Sequence, residues 1–371
     1  MKQRIRMGMV GGGPGAFIGP IHRIAAELDR EFLLVAGAFA RDAARSIAGG
    51  EAFRIPPARS YPSLDAMIAQ ERARPDGIEM LVVATPNRDH LPSSRAALAA
   101  GLPVMSDKPL TATLAEAEEL AAIVRASGLP FGVTYTYSGY PLVREARARI
   151  AAGALGNIRK LVVEYPQGWL AGAAAGKQAE WRTDPAQAGG GGCIADIGVH
   201  AFHLAEFVTG LRVVRLLSDL GSVVEGRALD DDCQLLLRFD NGARGVLIAS
   251  QISLGERNGL RLRVYGDRGG LDWRQEQPNQ LWLHHADGRT ELVQAGDTSL
   301  GPDAIAASRT PGGHPEGYLE AFANLYRDFA RLIRGEPGSL LPGIDEGLRG
   351  MALIDTAVRA SRDDAGWVAF A

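Results

Sequence analysis

The first third of the chain alternates short apolar runs with stretches in which apolar residues recur at helical spacing. Apolar runs of this length, ended by glycine, proline or a polar residue, predict buried strands, and the stretches between them predict amphipathic helices. Thr113 and Glu116 have the spacing of a capping box and predict the start of a helix that ends near Ser127. The predicted strands lie at residues 5–10, 32–39, 79–84, 102–106 and 131–135.

Strands that alternate with helices in this way pair in parallel, with helices on both faces of the sheet. Ligands bind to such sheets beyond the carboxyl ends of the strands. We therefore expect the residues that follow the first four strands to face one crevice, namely Gly11, Ala40, Thr85 and Asp107.

The pattern changes near residue 157, where strand-like runs follow one another with loops between them. Asp240-Asn241-Gly242 is a tight-turn signal between two of these runs. The predicted strands lie at residues 158–165, 213–220, 234–239, 243–253, 260–265, 269–273 and 280–283, and helices are predicted at 318–334 and 346–362. The sequence thus predicts an α/β fold with a parallel sheet followed by a larger, mainly antiparallel sheet. Segments 171–177 and 296–315 are expected to be the most mobile.

The size and charge of the chain narrow the function classes. A length of 371 residues suggests two domains. The net charge of −3 gives no bulk attraction to nucleic acid or to an anionic membrane. The first residues lead straight into a strand, and no apolar span is long enough for a membrane helix, so we expect a soluble cytoplasmic protein. Cys193 and Cys233 do not have CxxC spacing and are expected to be reduced thiols.

A glycine-rich turn follows the first predicted strand. Glycines at Gly11-Gly12-Gly13 let the backbone approach a pyrophosphate, and the next helix supplies amide donors. The third glycine of this kind of turn is either replaced by Ala16 or supplied by Gly19 after an insertion. The residues that we expect to line the turn are Gly11, Gly13, Ala16, Phe17 and Ile18.

The end of the second predicted strand bears on the choice of dinucleotide. NAD-selective sites usually carry a carboxylate at this strand end, to bind the ribose hydroxyls. Here Ala40 is followed by Arg41, whose guanidinium can meet a 2′-phosphate or stack on adenine, and Asp42 comes one or two residues late. The sequence therefore leaves NAD and NADP both open.

Two further strings supply groups that can move a proton. Lys108 follows a predicted buried strand, and Pro109 favours an extended backbone before it, which aims the lysine into the crevice. Asp196 and His200 lie at i and i+4 on a helix that is predicted to end near Thr209, so they share a face. Asp196 can hold the His200 ring in one tautomer or accept a substrate hydroxyl, and His200 can move a proton near neutral pH. A surface lysine and a helix-stabilising Asp–His pair are the alternatives.

His203 lies on the same predicted helix face as Asp196 and His200. These three side chains can in principle bind a metal ion, but no fourth ligand of clear spacing is visible. We therefore expect no metal site, and a His203 that is either packed or supports the ligand-binding residues from behind.

These strings together resemble those of the Gfo/Idh/MocA family of sugar and cyclitol oxidoreductases, over nearly the whole chain. The family usually has Glu-Lys-Pro where this chain has Asp107-Lys108-Pro109, a change that keeps a carboxylate beside the lysine. The strings that carry the resemblance are Gly11-Gly12-Gly13 with Ile18-Gly19 and His22, Ala84-Thr85-Pro86-Asn87 with His90, Asp107-Lys108-Pro109, Trp181-Arg182, and Gly190 through Asp196 to His200.

The resemblance implies a Rossmann NAD(P)-binding domain at residues 1–128, and a substrate-binding and oligomerisation α/β domain with an open sheet at 129–371. It also implies a bound NAD or NADP, a polyol, sugar or glycoside substrate, and homodimers or homotetramers assembled through the free sheet faces. The implied activity is hydride transfer between a ring secondary alcohol and the nicotinamide.

The resemblance also assigns residues to roles. Lys108 would touch the cofactor ribose and the reacting hydroxyl, and Asp196 and His200 would bind substrate. Either His200 or Lys108 can be the base. The expected cofactor-binding residues beyond the glycine turn are Ala40, Arg41, Thr85, Asn87, His90, Asp107, Lys108 and Pro109. The expected additional pocket residues are Tyr137, Tyr165, Trp169, Trp181, Arg182 and His314.

Two alternative functions remain open from the sequence. Some relatives keep the cofactor bound and cleave glycosidic bonds by transient oxidation, elimination and re-reduction. A cofactor-binding sensor without turnover is the second alternative.

Overall fold

The computed structural model describes residues 3–172 and 177–370, with the backbone alone at residues 177 and 178. The chain forms two compact units. The first comprises Met1–Thr134 and Phe322–Arg349, and the second comprises Tyr135–Ala321 and Gly350–Ala371. Our single boundary after residue 128 thus differs from this division, in which the first unit continues to Thr134 and takes in a later segment.

The first unit is a parallel α/β domain, as predicted. Its strands occur in the order β2-β1-β3-β4-β5, and every pair in that order is parallel. All of β3 is buried, because helices cover both faces of the sheet. The strands are β1 (Ile5–Gly11), β2 (Phe32–Ala38), β3 (Met80–Ala84), β4 (Val104–Ser106) and β5 (Phe131–Val133). The helices are α1 (Ile18–Leu28), α2 (Ala43–Ala52), α3 (Leu64–Arg72), α4 (His90–Ala99) and α5 (Leu114–Ser127).

The second unit is built on a larger sheet that is mainly antiparallel, also as predicted. Its strand order is β13-β12-β11-β10-β6-β9-β8-β7-β14, with β6 and β9 parallel to each other. Burial alternates along β8, which leaves one sheet face open. The strands are β6 (Ile158–Pro166), β7 (Val213–Gly221), β8 (Asp232–Phe239), β9 (Arg244–Ser250), β10 (Arg261–Gly266), β11 (Gly269–Arg274), β12 (Gln280–His285), β13 (Thr290–Gln294) and β14 (Val368–Ala369).

The helices that complete the structure include α6 (Pro141–Ala151), α7 (Lys177–Arg182), α8 (Pro185–Ala188), α9 (Val199–Thr209), α10 (Pro302–Ala307), α11 (Tyr318–Ile333) and α12 (Ile344–Arg362). The later segment of the first unit includes most of α11, whose aromatic residues pack on that unit. The Phe32 ring lies 5.3 Å from that of Tyr326 and 6.3 Å from that of Phe329. This packing is why residues distant in sequence join the first unit, which no local pattern indicated.

Several predicted features are confirmed and others are new. Both hydrogen bonds of the Thr113–Glu116 capping box are present. The Gly242 backbone has a φ of 85°, as expected for the predicted turn. Cys193 and Cys233 are buried free thiols, as predicted.

Helices α6 and α10 were not predicted, and α10 occupies part of the segment at 296–315 that we expected to be mobile. Of the other segment expected to be mobile, residues 173–176 lie outside the described residues.

Among the residues that the structure describes, no helix is both long enough and apolar enough to cross a membrane.

Candidate active site

The glycine turn after β1 is a cradle lined by backbone. Gly11 and Gly12 have φ values of 78° and 66°, which favour glycine. A Cβ on Gly13 would lie 2.3 Å from the Phe39 carbonyl oxygen, and one on Gly19 would lie 1.9 Å from that of Gly12. Gly19 is therefore the third close-packed glycine, and Ala16 instead donates its N–H to the Gly13 carbonyl at 3.0 Å.

Helix α1 begins at Ile18, directly after this turn, and Phe17 before it is largely exposed. A strand end, a turn without side chains and a helix N-terminus are the parts that hold a pyrophosphate. The residues present in this unit therefore fit the dinucleotide that the sequence implies.

The residues after β2 form polar contacts with one another and with the turn that precedes α4. The Asp42 carboxylate accepts the Arg45 N–H at 2.8 Å and so caps α2. The Arg41 guanidinium donates to both oxygens of Asp89 at 3.0 Å. Arg41 and Asp42, the two side chains that bear on the choice between NAD and NADP, thus each have a hydrogen-bond partner within the protein.

His90 links the turn after β3 to the turn after β4. Its Nδ1 lies 2.9 Å from the Pro109 carbonyl oxygen, and its Nε2 lies 2.9 Å from that of Thr85. A protonated ring nitrogen donates to the carbonyl that it faces. The buried imidazole thereby lies between the Thr85 and Pro109 carbonyls and links the two turns.

Asp107 sits at the centre of a buried polar chain. His22 Nε2 lies 3.3 Å from its Oδ1, and the Thr134 hydroxyl donates to the same oxygen at 2.7 Å. Tyr326 Oη lies 2.6 Å from His22 Nδ1, so the phenol donates to the imidazole when Nε2 carries the proton. Thr134 and Tyr326 are distant in sequence and had no motif to reveal them.

The surroundings of Asp107 keep an anion beside Lys108. Burial by itself favours the neutral acid, but the charge and hydrogen bond of His22 and the Thr134 hydroxyl lower the pKa of the Asp107 carboxyl. Burial raises the pKa of the Tyr326 phenol well above its ordinary value, so that group remains a donor. Lys108 is half-buried directly after Asp107, and its peptide bond to Pro109 is cis.

In the second unit, Asp196 lies on a π-helical turn, Ile194–Gly198, that leads into α9. Hydrogen bonds in such a turn span five residues, so the i, i+4 alignment assumed for Asp196 and His200 no longer follows from spacing. Asp196 Oδ2 accepts the Gln251 side-chain N–H at 2.8 Å, and Oδ1 lies 3.3 Å from Arg182 Nε. The Arg182 guanidinium also stacks on Trp181 at 4.4 Å.

Asp230 holds the start of this helix. Its carboxylate accepts the N–H groups of Gly192 at 2.6 Å and Ile194 at 2.7 Å, and its carbonyl accepts that of Cys193 at 2.7 Å. Burial raises the pKa of the Asp230 carboxyl to about 6, although these N–H groups oppose the shift. Asp230 was missed because nothing in the sequence links it to a glycine run so far away.

His200 lies against three tyrosines. Its ring centroid is 4.9 Å from that of Tyr137, 5.8 Å from that of Tyr135 and 6.4 Å from that of Tyr165. Burial raises the pKa of the Tyr137 phenol, and that of Tyr165 rises well above its ordinary value. The phenols therefore stay protonated and can exchange hydrogen bonds with a polar ligand.

His203 is packed, as expected. Its ring stacks on Tyr135 at 4.2 Å and on Phe207 at 5.7 Å. Burial lowers the pKa of His203 to about 3, and Arg147 and Arg212 act in the same direction. Among the described residues, no cluster of three or more His, Cys, Asp or Glu is arranged to hold a metal ion.

A ladder of side-chain hydrogen bonds starts beside His200. The Tyr137 and Tyr165 hydroxyls are in contact, and the Tyr165 O–H donates to Asn258 Oδ1 at 2.6 Å. The Gln167 amide donates to the same oxygen at 2.9 Å, and the Trp169 indole N–H donates to Gln167 Oε1 at 3.0 Å. The ladder gathers three of the predicted pocket residues.

The sequence analysis missed Gln167, Gln251 and Asn258. Gln167 follows β6 and Gln251 follows β9, and these strands are parallel neighbours whose carboxyl ends share one edge of the sheet. Each of these two strands is followed by a glutamine, but this pattern indicates a shared site only once the strand order is known.

His314 lies elsewhere in the second unit. It is exposed in a turn where its Nδ1 is 3.3 Å from the Pro311 carbonyl oxygen. The Thr310 hydroxyl donates to the His314 carbonyl at 2.8 Å. The structure does not group His314 with the residues around His200, so its expected role as a pocket residue stays a prediction.

Known proteins match the chain along its length. Residues 5–135 match an oxidoreductase family with an NAD-binding Rossmann fold, and residues 143–272 match the GFO/IDH/MocA C-terminal domain. The uncharacterized oxidoreductase YfiI of Bacillus subtilis is 35% identical over 100% of this chain and 98% of its own. Levoglucosan dehydrogenase of Pseudarthrobacter phenanthrenivorans is 27% identical over 99% of this chain and 98% of its own.

A solved structure shares the whole architecture. It is an inositol dehydrogenase homolog from Azotobacter vinelandii, complexed with NADH and myo-inositol. The TM-score is 0.92 and the identity 38%, with 100% of this chain and 98% of that chain covered.

Proposed function

Since the chain belongs to the Gfo/Idh/MocA family of NAD-binding oxidoreductases, we propose that it oxidises a ring secondary alcohol of a sugar, glycoside or cyclitol. The observation that carries this proposal is the set of polar and aromatic groups around Asp196 and His200, which share Tyr137 and Tyr165 as neighbours. Asp196 with Gln251 and Arg182 offers hydroxyl acceptors and donors, and tyrosine rings offer apolar faces. A polyol ring needs both kinds of surface.

The substrate class is also supported by similarity. The homolog from Azotobacter vinelandii binds myo-inositol, and the relative from Pseudarthrobacter is a levoglucosan dehydrogenase. Arg182 already lies beside Asp196, and this pairing reduces its attraction for an anion. We therefore propose a neutral polyol rather than a sugar acid.

We propose NAD as the preferred dinucleotide. The Arg41 guanidinium donates to both oxygens of Asp89, so its charge is balanced and a carboxylate stands beside it. A carboxylate there repels a 2′-phosphate. The prediction is a higher kcat/KM with NAD⁺ than with NADP⁺, and the reverse order would contradict it.

In the proposed mechanism, a bound nicotinamide would supply the acceptor for the hydride that leaves the carbinol carbon. Gly11, Gly13 and the α1 N-terminus would hold its pyrophosphate. His200 takes the hydroxyl proton as the alcohol becomes a ketone, and the Lys108 ammonium stabilises the developing alkoxide. Asp196 accepts a hydrogen bond from a neighbouring hydroxyl and fixes the ring. Lys108 as the base, with His200 as its relay, is the alternative assignment.

The test combines a cofactor assay with product analysis. Purified protein is incubated with NAD⁺ or NADP⁺ and a panel of monosaccharides, inositols and glycosides. The proposal predicts reduced nicotinamide together with a ketone product. A released aglycone without net cofactor reduction would indicate a redox-cycling glycoside hydrolase. Saturable dinucleotide binding without any reaction would indicate a sensor.

We also propose that the protein assembles as a homodimer or homotetramer through the open face of its larger sheet. Cross-strand partners on that face form one continuous row. Leu236 is 43% exposed and Trp282 is 37% exposed, which is unusual for residues in the middle of strands. The row consists of Leu292, Trp282, Asp272, Arg263, Val162, Val246, Leu236 and Leu217.

The compartment that we propose is the cytoplasm. Cys193 and Cys233 are free thiols, which is typical of a reducing compartment. Cell fractionation should recover the protein with a cytoplasmic marker, and recovery with a secreted marker would contradict this assignment.

A further inference from the structure

The loop that follows β6 is anchored on both sides of an exposed indole. The Gln167 N–H donates to the Ser250 carbonyl at 2.7 Å, and the Leu170 N–H donates to that of Gln251 at 3.0 Å. Leu170 is buried, and Arg227 donates to the Gly172 carbonyl at 2.7 Å. Between these fixed points Trp169 is 45% exposed.

The exposed indole is held in a single orientation. Its N–H donates to Gln167 Oε1 at 3.0 Å, and the Gln167 amide donates in turn to Asn258 at 2.9 Å. Asn258 also accepts the Tyr165 O–H at 2.6 Å, and the Tyr165 ring lies 6.4 Å from that of His200. A side chain that served only as surface cover would not need this chain of bonds. The contacts that lead from His200 to the indole thus run through the Tyr165 phenol and two side-chain amides.

The ring faces and the amides along the ladder differ in chemistry. An indole face carries negative electrostatic potential and attracts the C–H groups of an apolar ring face. A carboxamide carries two N–H donors, and the Gln167 amide uses one of them on Asn258 among the described residues. Its second N–H is a donor for a hydroxyl or a bridging oxygen. A ligand that extends away from His200 along the ladder would therefore meet the polar side-chain amides first and the flat apolar face of the indole second.

We propose that Trp169 is the platform of a second-ring subsite, so that the substrate is a glycoside whose second ring packs on the indole. This inference rests on the proposed function, because the ring beside His200 is taken as the reacting one. Asp196 and His200 serve that ring, and Gln167 and Asn258 lie where the glycosidic linkage passes. The ligand class is a neutral glycosyl-sugar or glycosyl-cyclitol.

The test measures which ring of a ligand contacts the protein. Saturation-transfer NMR is recorded with cellobiose, maltose, lactose and galactinol, and with glucose and myo-inositol as single-ring probes. The proteins are wild type, Trp169→Ala, Trp169→Phe, and Val223→Ala as a control. Val223 is 66% exposed in the same unit and takes no part in the ladder.

We expect at least one two-ring probe to show saturation on both rings with wild type. Trp169→Ala should reduce saturation of the second ring and weaken binding roughly 2- to 10-fold, the range for one aromatic contact. Trp169→Phe should retain most of that signal because it keeps a ring face. Single-ring probes and Val223→Ala should be unaffected.

Three results would overturn the subsite. One is that no two-ring probe shows more saturation than its single-ring counterpart with wild type. Another is that Trp169→Ala weakens single-ring and two-ring probes equally, since the indole would then cover the reacting ring. The last is an unchanged signal in Trp169→Ala.

The binding readout separates this inference from the proposed function. A signal that depends on Trp169, without NAD-linked turnover of any probe, would keep the subsite and remove the dehydrogenase activity. Turnover of single-ring probes that is unaffected in Trp169→Ala, with no effect on two-ring probes, would keep the activity and remove the subsite.

Discussion

At the scale of single residues, two histidines on α9 differ in their surroundings. His200 lies against three tyrosine rings beside the hydrogen-bond ladder, whereas His203 is stacked between Tyr135 and Phe207. Burial lowers the pKa of His203 to about 3, so it stays neutral in the folded chain. Both rings are buried, so the residue that packs and the residue proposed to react are distinguished by their aromatic neighbours and not by burial.

His203→Phe tests this difference through the pH dependence of stability. Because the folded pKa lies below the unfolded value of about 6.5, the stability that neutral His203 contributes is complete above pH ~6.5. It is lost as the pH falls towards the folded value of about 3. Between pH 7 and pH 4 the wild type should lose about 3 kcal/mol more unfolding free energy than the variant. Urea denaturation at both pH values measures this, and equal losses would show that His203 is not buried as a neutral group.

Gly19→Ala tests the backbone cradle. Its Cβ would lie 1.9 Å from the Gly12 carbonyl oxygen, so α1 or the turn must shift. Overpacking of this kind costs about 1–3 kcal/mol, and NAD⁺ affinity should fall roughly 10-fold or more because the turn carries the amides. Calorimetric titration with NAD⁺ measures the affinity.

Gly343→Ala is the matched control in the same unit. Its Cβ would meet nothing closer than 3.6 Å, so NAD⁺ affinity should be nearly unchanged. Equal NAD⁺ affinity of Gly19→Ala and wild type would mean that the turn does not hold the pyrophosphate.

At the scale of elements, the strands and helices with a regular apolar pattern were predictable from the sequence, and the contacts between distant elements were not. Runs such as 80–84 are entirely apolar because both sheet faces are covered, and the Thr113 capping box is a local signal. The parallel pairing of β6 with β9 depends on strand order across the sheet, so Gln167 and Gln251 had no local signal. The π-helical turn at Asp196 breaks the helical spacing from which its alignment with His200 was argued.

Asp230→Asn tests the anchor of that π-helical turn. The carboxylate accepts N–H groups from Gly192 and Ile194. An asparagine keeps one acceptor and turns its NH₂ towards the other N–H, which costs about 1–3 kcal/mol locally. Hydrogen exchange should accelerate at residues 192–194, and kcat should fall while NAD⁺ affinity is unchanged.

The control for this variant is Asp240→Asn, an exposed residue in the turn after β8. It should leave exchange and kcat as in wild type. Unchanged exchange at residues 192–194 in Asp230→Asn would show that the carboxylate does not hold the helix start.

At the scale of the whole molecule, the open face of the larger sheet carries apolar side chains that stay exposed in a single chain. Leu236 and Val246 are cross-strand partners in the middle of the row that crosses it. Six of the eight residues in the row are apolar, and apolar groups gathered on an open sheet face usually mark contact with another chain. The sequence predicted an open sheet and oligomers by resemblance, but the row itself required the register of every strand pair.

The double variant L236R/V246R tests whether this face joins copies of the chain. Opposed guanidinium groups should prevent a second copy from packing there, because like charges repel and lose hydration. Sedimentation equilibrium should show oligomers for wild type and monomers for the variant. Oligomers of unchanged size in the variant would place the interface elsewhere.

The central claim is that this chain transfers hydride from a ring alcohol, with Lys108 and His200 handling the proton. The most direct measurement follows the absorbance of reduced nicotinamide with NAD⁺ and a polyol panel, for wild type, His200→Ala and Lys108→Ala. The account predicts turnover by wild type and a fall of roughly 10²–10⁴-fold in kcat for the residue that is the acid/base, with NAD⁺ affinity retained in His200→Ala. Wild-type turnover on the true substrate that persists in both variants would contradict it.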